Sequence, residues 1–168
     1  MEFYEVVNRR TSVRRYKSER PSREQIERIL EAAHQAPSAC NRQPWRFIVV
    51  ESGEMLAKVR KAYDREWLTT APVVIVAVGN HAECWHRAAD GKDHCDVDLA
   101  IAAEHLALAA ANEGLGSCWI CNFDRQQLSE ILSLTADEEP IVMLPIGYAD
   151  EPLKPHTRKA ANEIISFV

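Results

Sequence analysis

Pro37-Ser38-Ala39-Cys40-Asn41-Arg42-Gln43-Pro44-Trp45 separates a helical pattern ending near Gln35 from an extended pattern beginning at Trp45. The two prolines fix φ at both ends and keep either neighbour from extending into the loop. Between them Ser38, Asn41 and Gln43 carry short polar side chains that can close a turn or reach a ligand. The bland reading is a helix-to-strand connection. The functional one is a rigid polar wall of a binding site.

Working outward, Ser22 with Gln25 has capping-box spacing, and Ile26, Ile29, Leu30 and Ala33 then recur on one helical face. Trp45 to Val50 reads as a strand. Ser52 caps a helix expected through about Tyr63, with Met55, Leu56 and Val59 inward. Val73 to Val78 is apolar on both faces, which predicts a central strand. Asp96 to Asn112 reads as the longest helix. It is alanine-rich and apolar nearly all round, so it is buried on more than one side, in the core or in a dimer interface, and Gly114 ends it. Ser117 to Ile120 is a short strand. Asp124 with Gln127 opens another helix, and Thr135 with Glu138 resembles a further capping box. Ile141 to Tyr148 is a strand in which Pro145 indicates an edge or a bulge. The apolar end, Ile164-Ile165-Ser166-Phe167-Val168, should join the core or a partner subunit.

The chain of 168 residues suits one domain, 1–168, with 46% hydrophobic and 27% charged residues. A net charge of −5 argues against nucleic acid, and the longest apolar run, Ala71 to Gly79, is too short to span a bilayer. The opening residues lack a signal-peptide pattern, and five cysteines without an export signal point to reduced thiols in a cytoplasm.

In this acidic chain Arg9 to Lys17 holds five cations and no acid. A solvated surface would explain it, and so would an anion site in which arginine forks and the Thr11 and Ser12 hydroxyls take a phosphate. Gly114-Leu115-Gly116 follows a helix and is not a dinucleotide fingerprint. Cys118-Trp119-Ile120-Cys121 lies in strand-like sequence, which disfavours a redox dithiol. His81, Cys84, His86, His94 and Cys95 match no common zinc spacing and read as a chance cluster, so no metal is expected. No triad or carboxylate pair is evident. The basic segment, the polar loop and a basic tail with Lys154, His156, Arg158 and Lys159 together suit an anionic cofactor that carries the chemistry itself.

Arg10-Thr11-Ser12-Val13-Arg14-Arg15-Tyr16, the Pro37–Trp45 block, Gly114-Leu115-Gly116-Ser117-Cys118-Trp119, and Gly147-Tyr148 with a late Arg158 resemble, in order, the nitroreductase family of FMN-dependent oxidoreductases. The resemblance implies an α+β fold with a central, mostly antiparallel sheet flanked by helices, in an intertwined homodimer. It implies FMN held by Arg10, Thr11, Ser12, Arg14 and Arg158 of one subunit and by Pro37, Ser38, Ala39 and Asn41 of the other. The backbone of Trp119, Ile120, Cys121 and Asn122 would line the ring. It further implies NAD(P)H as reductant and a nitroaromatic, quinone or similar small-molecule acceptor. A flavin-destroying or flavin-sensing protein is the alternative, and a Cys118/Cys121 thiol-redox module the more distant one. Three positions depart from the family pattern: Thr11 stands where arginine is frequent, Cys121 stands where glycine is common, and Tyr63 to Trp67 lacks an Asn-x-x-Lys pair.

Overall fold

The computed structural model describes residues 1–153 and 155–168, so the Lys154 of the basic tail lies outside the described residues. Four antiparallel strands form the centre: β1 (Trp45–Val50), β2 (Val73–Asn80), β3 (Gly116–Ser117) and β4 (Glu138–Gly147), in the order β1-β2-β4-β3. Each residue of β2 from Val73 to Gly79 is buried, as expected of an internal strand covered on both faces.

Alternation along β2 divides the core. Val73, Ile75 and Ala77 face one side with Val142, Leu144 and Ile146 of β4. There they meet Ile26, Ile29 and Ala33 of α2 (Arg23–His34) and Leu99, Ala103, Leu106 and Ala110 of α4 (Cys95–Asn112). Val74, Val76 and Val78 face the other side. That side is covered by Leu56 and Val59 of α3 (Gly53–Arg60), Leu128 of α5 (Arg125–Leu132), Val13, Tyr16 and Leu68. Each large side chain buried in this way contributes about 1.5–3 kcal/mol before entropy is counted.

The helix starts follow side-chain chemistry. Ser22 and Gln25 form a reciprocal capping box at α2, Ser52 accepts from Met55 N–H at α3, and Asp124 accepts from Gln127 N–H at α5. α3 stops at Arg60, short of Tyr63. Thr135 and Glu138 open no helix: the Thr135 N–H and hydroxyl donate to Glu138 across a turn, and Glu138 begins β4. α4 ends where Gly114 takes φ +78°, a conformation glycine enters without penalty.

β4 is internal, not an edge. Its bulge lies at Ile141, opposite the step from Ala77 to Val78. Pro145 fits because strand alternation turns its missing N–H toward the gap between β3 and the Ile120–Met143 bridge, where its carbonyl accepts from the Tyr16 hydroxyl. The expected strand Ser117–Ile120 is accordingly reduced to Gly116–Ser117 and one bridge.

α1 (Phe3–Arg9) lies beside α4 and buries Val6, while Phe3 and Tyr4 are exposed. The apolar end does not enter the core. A single turn, α6 (Ala161–Ile164), precedes Ile165 and Phe167, and Ile164, Ile165 and Phe167 are all exposed.

Candidate functional site

The basic segment forms the first wall. After α1 the chain runs beside β3, pairing Ser12 with Ser117 in a parallel bridge, with Val13 N–H donating to the Ser117 carbonyl at 2.9 Å. Arg9, Arg10, Thr11, Val13 and Lys17 then line one recess with Gly116, Ser117, Tyr148 and Glu151, of about 280 Å³. Arg10 is half-buried and reaches Glu104 of α4 at 3.7 Å. Arg14 is exposed, and its backbone N–H donates to Glu151 at 2.7 Å. Arg15 pairs with Asp150. The recess is cationic with acid at its rim, a setting that favours a phosphate over a bulky polyanion.

Behind this wall lies Cys118. Burial pushes its thiol up, and Arg14, the Ser12 hydroxyl and Arg10 counter that only in part. Cys121 is exposed, and burial of its sulfur followed by the charge of Asp96 pushes its thiol up as well. The two side chains differ in exposure and both favour the protonated state, so the pair is not built as a reactive dithiol. Ile120 is held by the bridge to Met143, which fixes the backbone from Trp119 to Cys121. The indole N–H of Trp119 is buried beside the Glu104 carboxylate. Burial raises the Glu104 carboxyl and Arg10 draws it back.

The loop from Pro37 to Trp45 forms the second wall. Cys40, Asn41 and Gln43 all have φ near +50° (51°, 53° and 50°), a region that costs most non-glycine residues about 1–2 kcal/mol. Internal bonds hold them there. Ser38 Oγ accepts from Gln43 N–H at 2.9 Å, and the Gln43 amide donates to both the Asn41 carbonyl and its side-chain oxygen at 3.2 Å. Asp98 of α4, only 2% exposed, accepts from Ala39 N–H at 2.9 Å, and its other oxygen is buried without a partner. A strained loop fixed by a buried carboxylate is organised for more than connection.

Arg10, Thr11, Ser12 and Arg14 are thus gathered beside Ser117 to Trp119, while Pro37, Ser38, Ala39 and Asn41 stand together elsewhere. No hydrogen bond or ion pair among the described residues joins the two groups. They are anchored on different faces of α4, because Glu104, six residues after Asp98, stands about 120° round the helix from it and about 9 Å along it. Arg158 joins neither group: it is exposed in the tail and its guanidinium donates to the Thr157 carbonyl. Sequence reasoning missed Asp98 and Glu104. The signal for Glu104 is visible afterwards, as the single acid between Leu99 and Asn112 on an apolar helix.

The model of the nitroreductase family matches residues 7–67 and 57–148. A nitroreductase family protein of Clostridium difficile 630, solved as a crystal structure, is 34% identical, with a TM-score of 0.91 over 99% of this chain and 98% of that one. An FMN-dependent nitroreductase of Clostridium difficile R20291 is 27% identical, with a TM-score of 0.84 over 96% of each chain. An iodotyrosine deiodinase of Thermotoga neapolitana is 27% identical over 97% of this chain and 95% of its own length. With its antiparallel sheet between helical layers and its basic segment laid against β3, the chain belongs to the nitroreductase family.

Proposed function

We propose that the chain is an FMN-dependent oxidoreductase that takes hydride from NAD(P)H and delivers it to a nitroaromatic, quinone or similar electron-poor acceptor, with each cofactor site shared between two chains. The observation that carries this reading is the cationic recess at Arg9, Arg10, Thr11 and Lys17 beside Ser117, in a chain of this family. The residues fit the cofactor: Arg10 and Lys17 match a dianionic phosphate through charge-assisted bonds worth about 1.5–3 kcal/mol each. The fixed backbone around Ile120 offers polar contacts to a ring edge. When bound, FMN supplies the ring that accepts and gives up hydride.

The chain's own part is binding and orientation. Arg10, held by Glu104, stays placed without a ligand. Ser38, Gln43 and Asp98 hold Asn41 and the backbone of the second wall in their strained positions. The separation of the two walls on α4 supports a site completed by a second copy. So do the exposed Phe3 and Tyr4 of α1, Val97 of α4 and Ile164, Ile165 and Phe167 of the tail, an apolar surface suited to burial between subunits. Among the described residues no helix is long and apolar enough to cross a membrane.

The likeness to the Thermotoga neapolitana deiodinase favours a second reading, removal of iodide from an iodinated phenol with two electrons and a proton delivered to the ring carbon. One experiment separates the two. Protein reconstituted with FMN is mixed anaerobically with NADH or NADPH, and reoxidation is followed with a nitroaromatic, a quinone and 3-iodo-L-tyrosine. Bleaching by either nucleotide and fast reoxidation by the first two acceptors is the expected result. Iodide release from the third alone would transfer the assignment to dehalogenation. Protein that refuses FMN would overturn both, and flavin that neither nucleotide bleaches would leave a binding role without reduction.

A further inference from the structure

The loop between β2 and α4 assembles five metal-binding side chains that the cofactor walls do not use. Its core is a small hairpin. His86 pairs with Asp93 in an antiparallel bridge, Arg87 N–H donates to the Lys92 carbonyl at 2.9 Å, and His94 N–H donates to Trp85 at 3.1 Å. Gly91, at φ +71°, makes the turn, and Arg87 pairs with Asp90 across it. The Trp85 ring packs edge-on against His94 at 4.8 Å. In this register Cys84 stands across from Cys95. His86 and Asp93 directly oppose each other and share one face, with Cys84 two residues before His86 and Cys95, the first residue of α4, two after Asp93.

The donor atoms converge on Asp93. Cys84, His86 and Asp93 offer ligand atoms that all lie within 4.8 Å of one another, and so do His81, Asp93 and Cys95. Cys84 Sγ is 3.9 Å from His86 Nδ1, and His81 Nδ1 is 2.7 Å from Asp93 Oδ2. The donors of a tetrahedral zinc site, bonded at about 2.0–2.3 Å, stand roughly 3.3–3.8 Å apart, so each triad needs side-chain rotations of about an ångström, and joining the two through their shared Asp93 needs the Cys84 and Cys95 side chains to turn toward it. The two thiols are shielded, at 2% and 0% exposure, while His86 is exposed and opens a path from solvent. Two thiols, imidazole and one carboxylate suit zinc far better than magnesium or calcium. Linear spacing hid the site, because its ligands come as Cys84-x-His86 and Asp93-x-Cys95 on facing arms.

We propose that this loop binds one borderline-soft divalent transition ion, zinc foremost, through Asp93, the Cys84 and Cys95 thiolates and one imidazole, from His86 or His81. The ion would pin the loop to the first turn of α4, three residues before the Asp98 that anchors the strained Pro37–Trp45 loop. The histidine left over orients the carboxylate, as His81 does now.

Protein stripped of metal under reducing conditions is titrated with Co2+ and then Zn2+. The expected result is one Co2+ per chain, with thiolate charge-transfer and tetrahedral d–d absorption that equimolar Zn2+ displaces. Replacing Cys84→Ser together with Cys95→Ser should abolish those bands and weaken binding more than about 100-fold, while Cys118→Ser leaves them unchanged. X-ray absorption on zinc-loaded wild-type protein gives the same answer without a variant: sulfur and nitrogen or oxygen neighbours support the site. A zinc shell of oxygen and nitrogen alone, cobalt binding that survives the double Cys→Ser change, or a Cys84–Cys95 disulfide in metal-free protein that excludes both ions would overturn it.

Discussion

Asp98 sits on a helix rich in alanine and leucine, with one oxygen on Ala39 N–H and the other buried and unpartnered. Its task is to hold a loop whose backbone prefers other conformations. Asp98→Ala leaves the Ala39 amide without an acceptor, so urea unfolding should show a loss of about 1–3 kcal/mol. An unchanged midpoint would mean the loop needs no anchor. Glu138 carries a pH signature. The bidentate Arg46 guanidinium, then the Thr135 N–H, holds its carboxyl at about 2 against an ordinary 4.5. A depressed acid stabilises the fold above its unfolded value, and that contribution fades as pH falls toward the folded one. Glu138→Gln should therefore cost about 1 kcal/mol at neutral pH, Arg46 being half exposed. The difference from wild type should shrink as the pH is lowered from about 4.5 toward 2; a gap constant across that range in denaturation curves would contradict it.

At the scale of elements, the capped helices were legible because each cap is a local exchange between a side chain and an N–H three residues on. Thr135 and Glu138 carry the same signature, yet a turn satisfies it equally well, and Arg46 of β1, reaching across β2, takes Glu138 into the sheet. Pro145 was expected at an edge or a bulge and stands at neither, being paired with Val74 inside an internal strand. Its place beside a two-residue strand depends on how the chain from Val13 to Tyr16 packs, which no local pattern records. The basic segment owes its position to Gly116, where a Cβ would stand 2.7 Å from Val13 Cγ2 and 2.9 Å from its Cβ. Gly116→Ala should push the segment off β3, at about 1–3 kcal/mol, and weaken FMN binding more than an alanine at exposed Gly53 would. Equal FMN affinities for the two variants would separate the segment from the site.

For the whole molecule, the sheet between two helical layers follows from the alternation of β2 and the breadth of the apolar surface of α4, both readable in the sequence. The two walls of the candidate site were also readable, as a cluster of cations and a proline-bounded polar loop. Their separation in one chain was not, since it depends on which face of α4 each contacts. The apolar end was expected in the core or on a partner, and it lies outside the core. A site divided between subunits accounts for both features. It is tested most directly by mixing two defective proteins, Arg10→Ala/Arg14→Ala and Asn41→Ala, each expected to bind FMN weakly. After subunit exchange half of the dimers are mixed, each with one intact site, so a shared site predicts about a quarter of the wild-type tight FMN sites to return. A mixture that exchanges subunits and recovers no FMN binding would contradict it.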